Sequence, residues 1–268
     1  MRTYRWDHRP VGAARRAGLL ALAGGLLHAL PAATVLPTVR LRWFPALSGV
    51  GAPDHVALTF DDGPDPASTP LFLEVLAAHR VRATFFLLGG MVPRAPTLAR
   101  ELVAAGHEVG VHGWSHRNLL LRDPAATYRE LARAVAVITA ATGVRPRYHR
   151  PPYGVLTGPG WLAARRLGLT SVLWTCWGRD WTAEADPRTV LATVRAGLAG
   201  GGTVLLHDSD CASAPGAWRA ALGALPELLA GCAERGWRVG PLAEHGLTGP
   251  QGPSSQCQAD ITQSVCRR

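Results

Sequence analysis

Val56-Ala57-Leu58-Thr59-Phe60-Asp61-Asp62-Gly63-Pro64 decides how the chain is read. A β-prone apolar segment ends abruptly in two adjacent carboxylates, and a Gly-Pro turn follows. Neighbouring acids at a strand end repel each other, and burying either one unpaired costs several kcal/mol or more. The pair therefore asks for a positive partner, either a metal ion or an arginine. Downstream, the sequence offers imidazoles at His112 and His116, and a guanidinium at Arg150 in Arg150-Pro151-Pro152-Tyr153-Gly154.

From residue 55 onward, strand-like and helix-like segments alternate, a rhythm that predicts a parallel sheet or barrel with helices around it. Strands are expected at 56–60, 83–88, 108–112, 147–150, 171–176, 203–207 and 237–240. Thr69 is expected to cap a helix beginning at Pro70. Asp123 before Pro124 starts another that runs to Gly143, and Asp186 before Pro187 starts a third. Gly106, Gly168 and Gly236 fit positions just past helix ends, where positive φ is needed. On this frame Asp61 and Asp62 follow the first strand, His112 the third, Arg150 the fourth, Asp180 the fifth and His207 the sixth. All would share one rim, where active sites of barrel proteins assemble.

Each motif has a plain structural explanation when taken alone. Asp-Gly-Pro is a turn signal, consecutive prolines make a rigid extended loop, and a single histidine ending a buried strand is ordinarily structural. The joint, ordered occurrence at strand ends outweighs those explanations. His112-Gly113-Trp114-Ser115-His116 places two imidazoles four residues apart, a spacing that lets both face one ion. With Asp62 they supply two nitrogens and one oxygen, a set suited to zinc that leaves a coordination position open. Asp208 to Gly216 is unusually polar and adjoins His207, so it reads as either a substrate-touching loop or a helix-capping turn.

With 268 residues, 47% hydrophobic and 18% charged, the chain is globular and long enough for one large α/β domain. Its net charge of +9 comes wholly from arginine, and the absence of lysine points to nucleotide bias rather than to an acidic partner. No aromatic-studded basic run appears, so no nucleic-acid partner is expected. Arg2, Arg5, Arg9, Arg15 and Arg16 precede an apolar stretch from Ala17 to Leu36. Residues 1–50 thus read as a signal, a membrane anchor or a helix packed on the domain. Five cysteines are present; Cys257 and Cys266 can form a local disulfide in a polar tail at 247–268, and Cys176, Cys211 and Cys232 read as isolated thiols.

On these motifs the chain resembles the polysaccharide deacetylases with a NodB-homology domain, a carbohydrate esterase family of metal-dependent N- and O-deacetylases, over residues 53–245. The resemblance implies an α/β fold, a distorted (β/α) barrel of about seven strands. It makes Asp61 the catalytic base, and Asp62, His112 and His116 the ligands of one divalent ion, most simply zinc, with cobalt or nickel as alternatives. Arg150 would hold the base, the Tyr153 amide would bind the oxyanion, and His207 would act as general acid paired with Asp180. Trp181 and Leu205 would line the acetyl pocket. The implied substrate is an acetylated glycan such as peptidoglycan or a chitin-like oligosaccharide, hydrolysed in the cell envelope by a secreted or anchored protein, a cytoplasmic location being the alternative. A small acetylated glycoside as substrate, or an inactive carbohydrate-binding relative, are the alternatives for function. Two departures stand out: Gly113 replaces the family's usual Ser or Thr, with an expected loss of metal affinity, and Trp177 replaces an acid at the start of the fourth motif.

Overall fold

The computed structural model describes residues 11–247. After α1 (Val11–Ala29) and α2 (Pro37–Trp43) the chain alternates as expected. β1 (His55–Asp61), α3 (Thr69–Ala78), β2 (Thr84–Leu87), α4 (Pro96–Ala104) and β3 (Glu108–Val111) lead to α5 (Pro124–Thr142), β4 (Tyr148–His149) and α6 (Gly158–Arg166). Then come β5 (Thr170–Ser171), β6 (Cys176–Trp177), α7 (Pro187–Gly197), β7 (Thr203–His207), α8 (Trp218–Glu234) and β8 (Arg238–Gly240).

Every strand pairing is parallel, in the order β5-β4-β3-β2-β1-β7-β6, with β8 beside the start of β1. β1 is central and buried along its whole length, as a strand covered on both faces must be. Phe60 stacks on Phe85 at 5.0 Å and meets Phe72 of α3 edge-on at 5.1 Å, joining the sheet to its helical layer.

The sheet curls into a half-barrel whose free edges are β5 and β6, and here the expected strand 171–176 divides into two short ones. The reason lies in who takes its carbonyls. Across the open side, Arg150 donates to the Val172 and Leu173 carbonyls at 3.2 and 2.7 Å, and Arg40 of α2 donates to the Trp174 carbonyl at 3.1 Å. Two buried guanidiniums thus do what a neighbouring strand would otherwise do for three successive residues.

Helix ends follow the local chemistry. Asp123 accepts from the Ala126 N–H at 2.8 Å, Gly143 closes α5 at φ 74°, and Asp186 forms a capping box with Thr189. Gly106, Gly168 and Gly236 all have positive φ. At α3 the expectation is off by one: Ser68 is the N-cap, and the Thr69 hydroxyl instead donates to the Asp208 carboxylate.

Arg15–Val35 is long and apolar enough to cross a membrane, and only 6% of that stretch is buried against the domain. It meets the domain in its C-terminal half, where His28 Nε2 lies 3.2 Å from the Leu120 carbonyl and the Leu27 carbonyl packs close to Gly158 of α6. Cys176, Cys211 and Cys232 are free thiols. Cys257, Cys266 and the tail after residue 247 lie outside the described residues.

Candidate active site

Asp61 ends β1 and turns into the half-barrel, where its Oδ1 accepts from Arg150 Nη1 at 2.8 Å. Arg150 has no solvent exposure. The same Nη1 also donates to Thr59 Oγ1 at 2.8 Å, and the guanidinium lies 4.1 Å from the Phe86 ring centroid. Every face of this cation is occupied, so it has one geometry to offer Asp61. Burial raises the Asp61 pKa, and the Arg150 charge works against that rise.

Asp62 has no such partner. Its Oδ1 is buried without a hydrogen bond, and it stands 3.5 Å from Nε2 of His112 and 3.5 Å from Nε2 of His116. The ligand atoms of these three residues all lie within 4.8 Å of one another. Burial pushes the Asp62 carboxyl up to about 7. Burial also holds His112 well below the ordinary histidine value and takes His116 to about 4. The imidazoles are therefore neutral, with lone pairs free, and cannot themselves neutralise Asp62. His112 Nδ1 lies 2.9 Å from the Arg150 carbonyl, which fixes its proton there and leaves Nε2 to coordinate. Two neutral nitrogens, one orphaned carboxylate oxygen and a buried setting fit a divalent ion of the zinc type.

The third group is His207, at the end of β7. Its Nδ1 lies 3.0 Å from Asp180 Oδ1, and its backbone N–H donates to Asp180 Oδ2 at 2.7 Å. Burial opposes charge on this imidazole, yet the Asp180 carboxylate outweighs it and carries the pKa to about 10. Trp181 meets the His207 ring edge-on at 5.8 Å. Leu205 is buried with Leu173 and Trp174 one side-chain repeat below His207. Tyr153 packs its ring against His116 at 4.5 Å and is 56% exposed, at the mouth.

Among the described residues, the non-glycine positions with positive φ are Asp62, Arg80, His116, Tyr153 and Arg179. All but Arg80 lie at this rim, which is where backbone strain concentrates when geometry serves a site. Gly113 has φ 95°, a conformation that glycine adopts without cost. Its loop is held without a hydroxyl: Gly89 and Gly90 donate to the Gly113 and Trp114 carbonyls at 2.9 Å each, and Arg133 lies 3.6 Å over the Trp114 ring.

Thr59, Arg40 and Trp174 belong to the surroundings and escaped the sequence reading; Asp208, expected in a polar substrate-touching or capping loop, is buried instead. Asp208 had a signal, being an acid directly after a strand-end histidine. It is fully buried, ties the loop after β7 to α3 through Thr69, and burial moves its pKa to about 7. That loop supplies no side-chain cap to α8, whose N-cap is Ala217 and whose first residue is Trp218.

Comparison with known proteins bears on this geometry. The polysaccharide deacetylase profile matches residues 49–172. A chitooligosaccharide deacetylase of Bradyrhizobium sp. (strain ANU 289) is 37% identical over 197 residues, covering 70% of this chain and 89% of that protein. The chain belongs to the polysaccharide deacetylase family. Among solved structures, the Bc1960 peptidoglycan N-acetylglucosamine deacetylase superposes with a TM-score of 0.71 at 27% identity, over 81% of this chain and all of that one (100%). BA3943 of Bacillus anthracis, a pseudoenzyme of carbohydrate esterase family 4, gives 0.65 at 28% identity over 72% of this chain and 65% of that one. Deacetylases and a pseudoenzyme thus share this fold.

Proposed function

We propose that this protein is a metal-dependent deacetylase that hydrolyses N-acetyl groups on a glycan such as a chitin-like oligosaccharide or peptidoglycan, releasing acetate and a free amino sugar. The observation that carries the reading is the division of labour between neighbouring acids. Asp61 is paired with Arg150, while Asp62 faces two neutral imidazoles and lacks a cation.

Asp62, His112 and His116 hold the ion, with zinc the first choice and cobalt or nickel as alternatives. When bound, it supplies Lewis-acid chemistry that makes water a usable nucleophile near neutral pH. Asp61 accepts the proton of the attacking water, and Arg150 keeps that carboxylate ionised and in one orientation. The Tyr153 N–H donates to the developing oxyanion, a contribution of roughly 3 kcal/mol for a preorganised donor. His207, held cationic by Asp180, gives its proton to the departing nitrogen. Trp181 and Leu205 border the acetyl methyl. An inactive carbohydrate-binding role does not account for the joint presence of Asp61, His207 and the three groups Asp62, His112 and His116 at this rim.

The catalytic domain spans residues 53–245, between an N-terminal segment at 1–50 and a tail at 247–268. The apolar helix, with Arg15 and Arg16 at its start, anchors the domain in the cell envelope with its basic end in the cytoplasm. The His28–Leu120 contact holds the exit of that helix against the loop that carries His116. The test is mass spectrometry of acetylated chitooligosaccharides and peptidoglycan fragments after incubation with zinc-loaded protein. Loss of acetyl mass that disappears on chelation supports the reading. Intact substrates throughout, with zinc bound, would overturn it.

A further inference from the structure

Three tryptophans form a continuous step beside the site. Trp174 is buried, and Trp177 stacks on it with centroids 5.7 Å apart and planes inclined by 25°. Trp181 lies 4.9 Å further on and in turn meets His207. Trp177 is 38% exposed, although it sits at the end of β6 between buried neighbours. A core role does not explain an indole left half in water at the mouth.

The step is braced. Arg40 and Arg150 place guanidiniums 5.2 and 5.9 Å from the Trp174 centroid. The backbone on either side of Trp177 is fixed to β7, since the Thr175 N–H donates to the Thr203 carbonyl at 2.9 Å and the Gly178 N–H to the Leu205 carbonyl at 3.1 Å. A Cβ at Gly178 would meet Leu206 Cδ2 at 2.5 Å, so this strand end hugs its neighbour and cannot swing. Trp177 and Cys176 alternate exposed and buried, which turns the indole toward the mouth.

We infer that Trp177 is a sugar-binding platform, stacking the pyranose ring next to the one whose acetyl group reacts. A pyranose with equatorial substituents presents C–H groups on one face and hydroxyls at its rim, and an indole matches that face while leaving the hydroxyls in water. An acid at this position would grip hydroxyls and carry charge. Tryptophan reads the apolar face instead, and so favours an extended, equatorially linked chain over a single sugar. This rests on the deacetylase reading for the position of the reacting sugar.

Two measurements separate the platform from that reading. In zinc-loaded protein, Trp177→Ala should raise KM for a chitopentaose about three- to tenfold, leave its kcat unchanged, and spare the hydrolysis of a small acetyl ester. Trp177→Phe should recover most of the affinity. In the Asp61→Asn background, chitopentaose should perturb tryptophan fluorescence, and Trp177→Phe should diminish that change. Equal losses on pentaose and acetyl ester, or a pentaose KM that Trp177→Ala leaves unmoved, overturn the platform. Sugar binding that depends on Trp177 in a protein that releases no acetate keeps the platform and rejects the deacetylase.

Discussion

Replacing Asp180 by asparagine probes how the general acid is kept charged. Asp180 serves two donors of His207: the ring Nδ1–H at 3.0 Å and the backbone N–H at 2.7 Å. Asparagine offers one carbonyl oxygen in place of two carboxylate oxygens, so one donor must face an NH2 group. A hydrogen bond to a charged group contributes about 1.5–3 kcal/mol, and about 1.4 kcal/mol corresponds to one pKa unit. The imidazolium should therefore lose its proton about one to two pH units lower. The sign is set by the role: only the protonated ring can donate to the leaving nitrogen, so activity persists below the His207 pKa and falls above it. His207 stands near 10 beside Asp180, and the alkaline limb of kcat should shift down in Asp180→Asn. The activity lost at pH 9 should then exceed the loss at pH 7. The unpaired donor should also cost about 1–3 kcal/mol of stability, read from the urea midpoint. Acetate release followed from pH 6 to pH 10, at about one-unit steps, is the assay. An alkaline limb that stays in place while kcat falls equally at every pH would refute the coupling.

Asp62→Asn should abolish tight zinc binding, measured by equilibrium dialysis, while the fold survives because a neutral amide relieves a buried charge. Retention of wild-type zinc affinity would remove Asp62 from the ligand set. Arg150→Met leaves Asp61 buried without a counter-charge and the Val172 and Leu173 carbonyls without donors, so urea denaturation of metal-free protein should show a loss of about 3–5 kcal/mol; a change below about 1 kcal/mol would contradict the pairing. His107 is buried, accepts from the Ala83 N–H at 3.1 Å, and has its pKa lowered by burial to about 4. Its stabilising contribution is whole above about 6.5 and is lost as pH falls toward 4. His107→Gln, which cannot charge, should gain on wild type by up to about 3 kcal/mol across that window in paired urea titrations; a constant difference would show that His107 does not titrate there.

The sequence made the strands and the rim readable because parallel, doubly covered strands are continuous apolar runs, and a polar residue ending such a run has only one place to go. The helix ends were readable for a similar reason: Asp123-Pro124 and Asp186-Pro187 carry their caps locally. What escaped was whatever depends on partners distant in sequence. The division of 171–176 into two strands reflects Arg40 and Arg150 taking its carbonyls, and no local pattern at 171–176 announces an arginine from residue 40. α3 starts one residue earlier than a Thr69 cap predicts, and the Thr69 hydroxyl is claimed by Asp208, far along the chain. Buried Asp208 itself looked like a polar loop residue, since pattern alone does not separate a solvated acid from one hidden behind a helix.

The acid pair at the end of β1 shows why a doublet was needed. Asp61 is still in the strand, and its register with His207 across β7 and with Phe86 across β2 points it into the half-barrel, where Arg150 is fixed by four other groups. Asp62 follows with φ 82°, which breaks the strand and lets consecutive carboxylates serve different partners. One acid without the backbone reversal would have to choose between the guanidinium and the imidazoles. With it, the first acid is neutralised inside the protein and the second is left to recruit its charge from solution. That asymmetry makes metal affinity and base strength separately adjustable: substitutions around Arg150 act on Asp61, substitutions around Gly113 act on His112 and His116, and the peptide between Asp61 and Asp62 is where the two sets meet.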